Sequence, residues 1–175
     1  MSLIDDALAA NAVAAADYDA SHAGPPHPKI AIVTCADPRL SGITKLLGLD
    51  DADVDMIRNV GTVIDDDSIR SLVVSTRGLG TTEIMIINHD GCGMTTFTDD
   101  EFEANMHSET GAWPIAPAKF YSFTDPIANT REQMSKARSH PWIAAEVPVR
   151  GFVFDVNTGR LTEVLPAGAA AGATS

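Results

Sequence analysis

Two short, unbroken apolar runs, Lys29-Ile-Ala-Ile-Val-Thr34 and Glu83-Ile-Met-Ile-Ile87, constrain this chain more than any other feature. A strand with one face in water alternates apolar and polar residues, whereas a run without alternation needs cover on both faces. That requirement points to a parallel sheet layered between helices. The residues between and after the runs supply the other elements. Residues 40–47 suit a short helix, and Asp53-Val-Asp-Met-Ile-Arg58 alternates as a second strand. Asp65-Asp-Asp opens a helix reaching about Leu79, its carboxylates at the positive end of the helix dipole. A further helix over 126–138 stops at His140-Pro141. Val149-Arg-Gly-Phe-Val-Phe-Asp155 and Leu161-Thr-Glu-Val-Leu165 flank Asn157-Thr-Gly-Arg160, a hairpin turn. The expected fold class is α/β, a mostly parallel sheet of about four strands with an added antiparallel strand, flanked by helices.

Both ends of the chain read differently. Residues 3–20 form an alanine-rich helix whose larger apolar residues are Leu3, Ile4, Leu8 and Val13, a face suited to packing on a surface or a partner subunit rather than to nucleating a core. Gly24-Pro-Pro-His-Pro28 is a linker, because each proline fixes φ and removes a donor. Residues 167–175, all small or hydroxylated, have little to bury and are expected to be a flexible tail. One domain is therefore expected over 1–166, with 1–28 as an arm. At 175 residues the chain can bury about 70% of its unfolded surface without disulfide staples.

Charge narrows the function classes. With 24 acidic and 12 basic residues the net charge is −12, which repels nucleic acid and anionic lipid alike. No apolar run reaches the ~18–20 residues of a membrane span. Asp5 and Asp6 stand where a signal peptide carries positive charge, so a cytoplasmic protein is expected. In a reducing compartment Cys35 and Cys92 are metal ligands, catalytic groups or core residues rather than a disulfide.

Cys35 follows the first apolar run, and His89 the second, with Cys92 three residues on. Ligand sites in such sheets lie beyond the carboxyl ends of the strands. Two thiolates and one imidazole brought together there make a zinc site with three protein ligands and one open position. Asp37 and Arg39 lie close by, and the guanidinium can hold the carboxylate ionised. Each piece also has a plainer reading: Cys35 as a buried hydrophobe, His89 as a hydrogen-bonded core residue, Asp37–Arg39 as a structural ion pair, Cys35–Cys92 as a disulfide. His-x-x-Cys alone is a weak signal. A structural zinc site would normally show four Cys or His ligands, and only three are in view. His107, in an acidic stretch, could transfer protons but reads as a surface residue, and Asp65 to Asp67 could suggest a divalent cation site but are better explained as a helix start.

In order and spacing, Cys35-x-Asp37-x-Arg39, Arg58-Asn59-Val60-Gly61 and His89-x-x-Cys92-Gly93 resemble the β-class carbonic anhydrases of the short bacterial type. The resemblance runs from about Lys29 to Val164 and takes in Phe97-Thr-Asp-Asp100 and Arg150-Gly-Phe-Val-Phe-Asp155. It implies one Zn²⁺ per subunit on Cys35, His89 and Cys92, hydrating carbon dioxide to bicarbonate. Asp37 and Arg39 would be the dyad that orients zinc-bound hydroxide. Val60, Gly61 and Gly93 would line the substrate pocket, and the subunits would form homodimers or dimers of dimers. Hydrolysis of carbonyl sulfide or carbon disulfide is the alternative, and a non-catalytic zinc module a second one. Three departures stand out. Pro38 replaces a usual Ser or Ala, Asp90-Gly91 replaces a hydroxyl residue and its neighbour, and Val60 replaces a smaller alanine.

Overall fold

The computed structural model describes residues 2–113, 117, 119–166 and 168, apart from the side chain of His22. Gly168 excepted, the expected tail 167–175 lies outside these residues. Five strands form one sheet in the order β2-β1-β3-β4-β5: β1 (Ile30–Cys35), β2 (Val54–Asn59), β3 (Glu83–His89), β4 (Val149–Phe154) and β5 (Leu161–Val164). The first four run parallel, and only β4 and β5 pair antiparallel, with Gly151 opposite Val164 and Phe154 opposite Leu161. The expected α/β class and strand count are both present.

The central strands are covered twice, as their unbroken apolar runs require. On one face Ala31, Val33, Ile84, Ile86 and Val149 pack with Leu72 of α3 (Asp66–Val74) and with Met134 and Ala137 of α5 (Pro126–Ser139). On the other, Ile32, Ile87 and Phe154 pack with Leu40 and with Ile43 of α2 (Ile43–Leu46). Gly151 lets α5 approach β4. A Cβ there would lie 2.6 Å from Thr130 Cγ2 and inside van der Waals contact with Met134 Sδ.

Local signals set the element ends. Asp65 caps α3 by accepting the amide of Ser68, and Asp125 caps α5 by accepting that of Ile127. Asp155 accepts the amides of Asn157 and Thr158, closing the hairpin between β4 and β5, with Gly159 at φ 72°. Helix α1 (Leu3–Ala14) is shorter than 3–20, and short 3₁₀ turns follow it at 15–17 and 20–22. It buries none of its residues. An element absent from the sequence reading is α4 (Asp99–Thr110), whose Thr98 and Glu101 form a capping box.

The chain leaves β1 for β2 on one side and later returns as β3 on the other. The strand order therefore reverses between β1 and β3, opening a crevice at their carboxyl ends. Cys35 is the last residue of β1 and His89 the last of β3, so both lie within the strands rather than just past them.

Candidate metal centre

Cys35, His89 and Cys92 converge in that crevice. One ligand atom from each lies within 4.8 Å of the others, and all three residues are buried. Both cysteines are free, so the alternative disulfide is not formed. His89 Nδ1–H donates to the Asp90 carbonyl at 2.9 Å, which leaves Nε2 with the lone pair. That Nε2 is buried and finds no hydrogen-bond partner. An orphaned imidazole nitrogen facing two thiols is the donor set of a tetrahedral zinc site with three protein ligands, and it fits Zn²⁺ better than hard cations.

The electrostatics agree. The hydrogen bond from Cys92 holds the Cys35 thiol well below its ordinary value, with help from His89 and the Gly61 amide and against the pull of burial. The same bond, together with burial, pushes Cys92 up. Burial lowers the His89 imidazole, but the neighbouring Cys35 outweighs it and the net shift is upward. Thiols and an imidazole packed this closely must give up protons for a dication to bind them.

Asp37 stands beside this group, its Oδ2 3.8 Å from His89 Nε2. Arg39 grips it twice through the side chain, Nε to Oδ1 at 2.9 Å and Nη2 to Oδ2 at 2.7 Å, and once through its amide at 2.9 Å. These bonds from Arg39 hold the Asp37 carboxyl far below the usual carboxylate range. Arg39 Nη2 also reaches the Gly91 carbonyl at 2.9 Å, tying the dyad to the loop that carries Cys92. Pro38 suits its place, because it is the first residue of a 3₁₀ turn capped by Asp37, where an amide would have no partner within the turn.

Asp90 braces the imidazole from behind. Its amide donates to Phe154 O at 3.1 Å, and its Oδ1 accepts the Val156 amide at 2.9 Å. The carboxylate that follows His89 is therefore engaged by the backbone just beyond β4.

Sequence alone gives Arg58, Asn129 and Gln133 no role, and Gly61 only a place in the expected substrate pocket. Arg58 of β2 donates to the carbonyls of Cys35 (3.1 Å) and Asp37 (2.7 Å), clamping the segment between ligand and dyad. Gly61, at φ 87°, aims its amide at Cys35 Sγ, 3.4 Å away. Its carbonyl accepts from Asn129, which Gln133 supports, so α5 anchors the loop through buried amides. Arg58, Asn59 and Gly61 were visible only as a run resembling a family, and Asn129 and Gln133 carry no local signal. Of the residues expected to line a pocket, Gly61 is buried, Gly93 is exposed next to Cys92, and Val60 is 61% exposed. His107, expected at the surface, is half-buried and stacks on Trp113, the ring centroids 4.0 Å apart.

Residues 30–120 match the family model described as carbonic anhydrase. Beta-carbonic anhydrase 1 of Mycobacterium tuberculosis is 41% identical over 166 residues, covering 95% of this chain and all of that protein. A carbon disulfide hydrolase of Acidianus is 30% identical over 159 residues, covering 78% of each chain. The crystal structure of carbonic anhydrase from Streptococcus mutans superimposes with a TM-score of 0.85 at 36% identity, covering 94% of this chain and 99% of that one.

Proposed function

The chain belongs to the carbonic anhydrase family, β class, and from that premise we propose that it hydrates carbon dioxide to bicarbonate and a proton on one zinc ion per chain. The observation that carries this reading is the open three-donor set with an ionised Asp37 beside it. Bound zinc would supply the Lewis acidity that makes water a nucleophile near neutral pH. Cys35, His89 and Cys92 would hold it. Asp37, kept ionised by Arg39, accepts a hydrogen bond from the attacking water and so fixes its direction. A purely structural zinc module would normally close its fourth position with a further Cys or His, and among the described residues these three are the one candidate metal-binding group.

Val60, Gly61 and Gly93 are proposed to line the pocket, with a second subunit completing it. Exposed Leu3, Ile4, Leu8 and Val13 on α1 support a homodimer or dimer of dimers in which residues 1–28 reach over the partner and 1–166 act as one domain. Among the described residues no helix is long and apolar enough to cross a membrane. Two free thiols at the site favour the cytoplasm.

The likeness to carbon disulfide hydrolases favours a second reading, hydrolysis of carbonyl sulfide or carbon disulfide to hydrogen sulfide and carbon dioxide. Assaying the zinc-loaded protein on all three gases separates them. Highest catalytic efficiency on carbon dioxide is expected, and a clear preference for either sulfur substrate would replace the first reading. Asp37→Ala should retain zinc and lose roughly 10²-fold or more in turnover. Undiminished turnover would remove Asp37 from the mechanism.

A further inference from the structure

Phe97, Phe120 and Phe123 pack against Cys35, Cys92 and Met94, so an apolar wall stands on the sulfur side of the metal centre. Two of these rings belong to residues 120–123, which lie outside any helix or strand. One side chain does most to hold that segment. Asp99, the first residue of α4, accepts the amides of Phe120 (3.0 Å) and Tyr121 (3.1 Å) on Oδ2 and that of Ser122 (2.8 Å) on Oδ1. Tyr121 has φ 62°, a left-handed conformation that a bulky side chain avoids unless its surroundings impose it. Lys136 of α5 lies over its ring, 5.6 Å from the centroid, and the Phe123 amide donates to Met94 O at 3.2 Å. Without the carboxylate, three consecutive amides lose their acceptor and Tyr121 is free to return to negative φ, moving the rings on either side.

We propose that Asp99 is a positioning residue for substrate. By gathering three amides it holds Tyr121 left-handed and sets Phe120 and Phe123 as the wall against which a linear, apolar substrate lies beside the metal. The substrate half of this inference rests on the hydration reading above. Asp99 touches neither the ligands nor the dyad, so its loss weakens substrate capture more than chemistry.

The test compares full-length, zinc-loaded wild type with Asp99→Ala and with Asp99→Ala/Tyr121→Gly, since glycine makes the left-handed conformation inexpensive. In Asp99→Ala, amide exchange at 120–122 should accelerate at least about tenfold while β1 and β3 stay protected. Zinc content should remain one per chain, and KM for carbon dioxide should rise about fivefold with kcat within about twofold. The double variant should recover at least about half of the lost kcat/KM, which relief of a merely structural defect would not do. Unchanged exchange at 120–122, faster exchange with kcat/KM intact, or a loss that Tyr121→Gly leaves untouched would each overturn the proposal. If Asp99→Ala does not fold, Asp99→Asn, which keeps one acceptor oxygen, takes its place and should show the same signs at smaller size. A wild type inactive on all three gases would overturn the hydration reading instead, and exchange at 120–122 would then decide the role of Asp99.

Discussion

Asp99 is half-buried, and burial alone would raise its carboxyl above 3.8, but hydrogen bonds from Ser122, Tyr121 and Phe120 outweigh burial and leave it below that value. A depressed carboxylate adds stability that is fully present above its unfolded pKa and is lost as pH falls through its folded pKa. The stability difference between wild type and Asp99→Asn should therefore hold steady, at about 1–3 kcal/mol, above roughly pH 5. It should shrink as pH drops below the ordinary value of 3.8. Urea unfolding of both variants from pH 3 to 7 measures this, and loss of metal in acid, common to both, cancels in the difference. A gap that stayed constant to pH 3 would contradict the hydrogen-bonded, ionised Asp99. The ligand trio and the Asp37–Arg39 pair were legible as residues, because their chemistry is written in short spacings. Asp99 was not, because the amides it gathers lie 21 to 23 positions away.

Among the elements, α4 was missed although Thr98-x-x-Glu101 is a capping-box signature and Gly111 ends the helix left-handed at φ 70°. It was missed because none of its residues is buried, so the apolar stripe that marks a packed helix is absent. The opposite case is α5, whose inner face mixes Met134 and Ala137 with buried Thr130, Asn129 and Gln133. Asn129 and Gln133 serve the loop at Gly61 and Ile64, whereas Thr130 bonds back to Pro126 O and faces Gly151 of the sheet. Where α5 meets β4, Gly151 fixes the spacing. Gly151→Ala should cost about 1–3 kcal/mol, because a new Cβ must displace Thr130 or Met134 in a filled contact. Thermal unfolding checks this, and a neutral result would mean that α5 shifts freely over the sheet.

At the scale of the whole molecule, the reversal of strand order between β1 and β3 places two ligands from distant parts of the sequence in one crevice. The N-terminal arm stands apart from this arrangement. Leu3 is 88% exposed and Val13 76%, a cost that burial against a partner would reverse at about 1.5–3 kcal/mol per large side chain. Deleting residues 2–22 should therefore lower the mass of the assembly in light scattering while the capacity of each chain to bind zinc is unchanged. An unchanged mass would mean that the arm takes no part in association.

The amino-acid order alone determined which segments are strands, which residue types can hold zinc, and that the chain is strongly acidic, with a net charge of −12. Each of these depends on neighbours a few positions apart or on summed charge. Only the tertiary structure decided that β1 and β3 lie side by side, that Arg58 clamps the carbonyls on both sides of Ala36, and that Asp99 anchors a wall of phenylalanines. Those arrangements arise from pairing between segments far apart in the chain, where the energy comes from packing and hydrogen bonds that local periodicity does not encode.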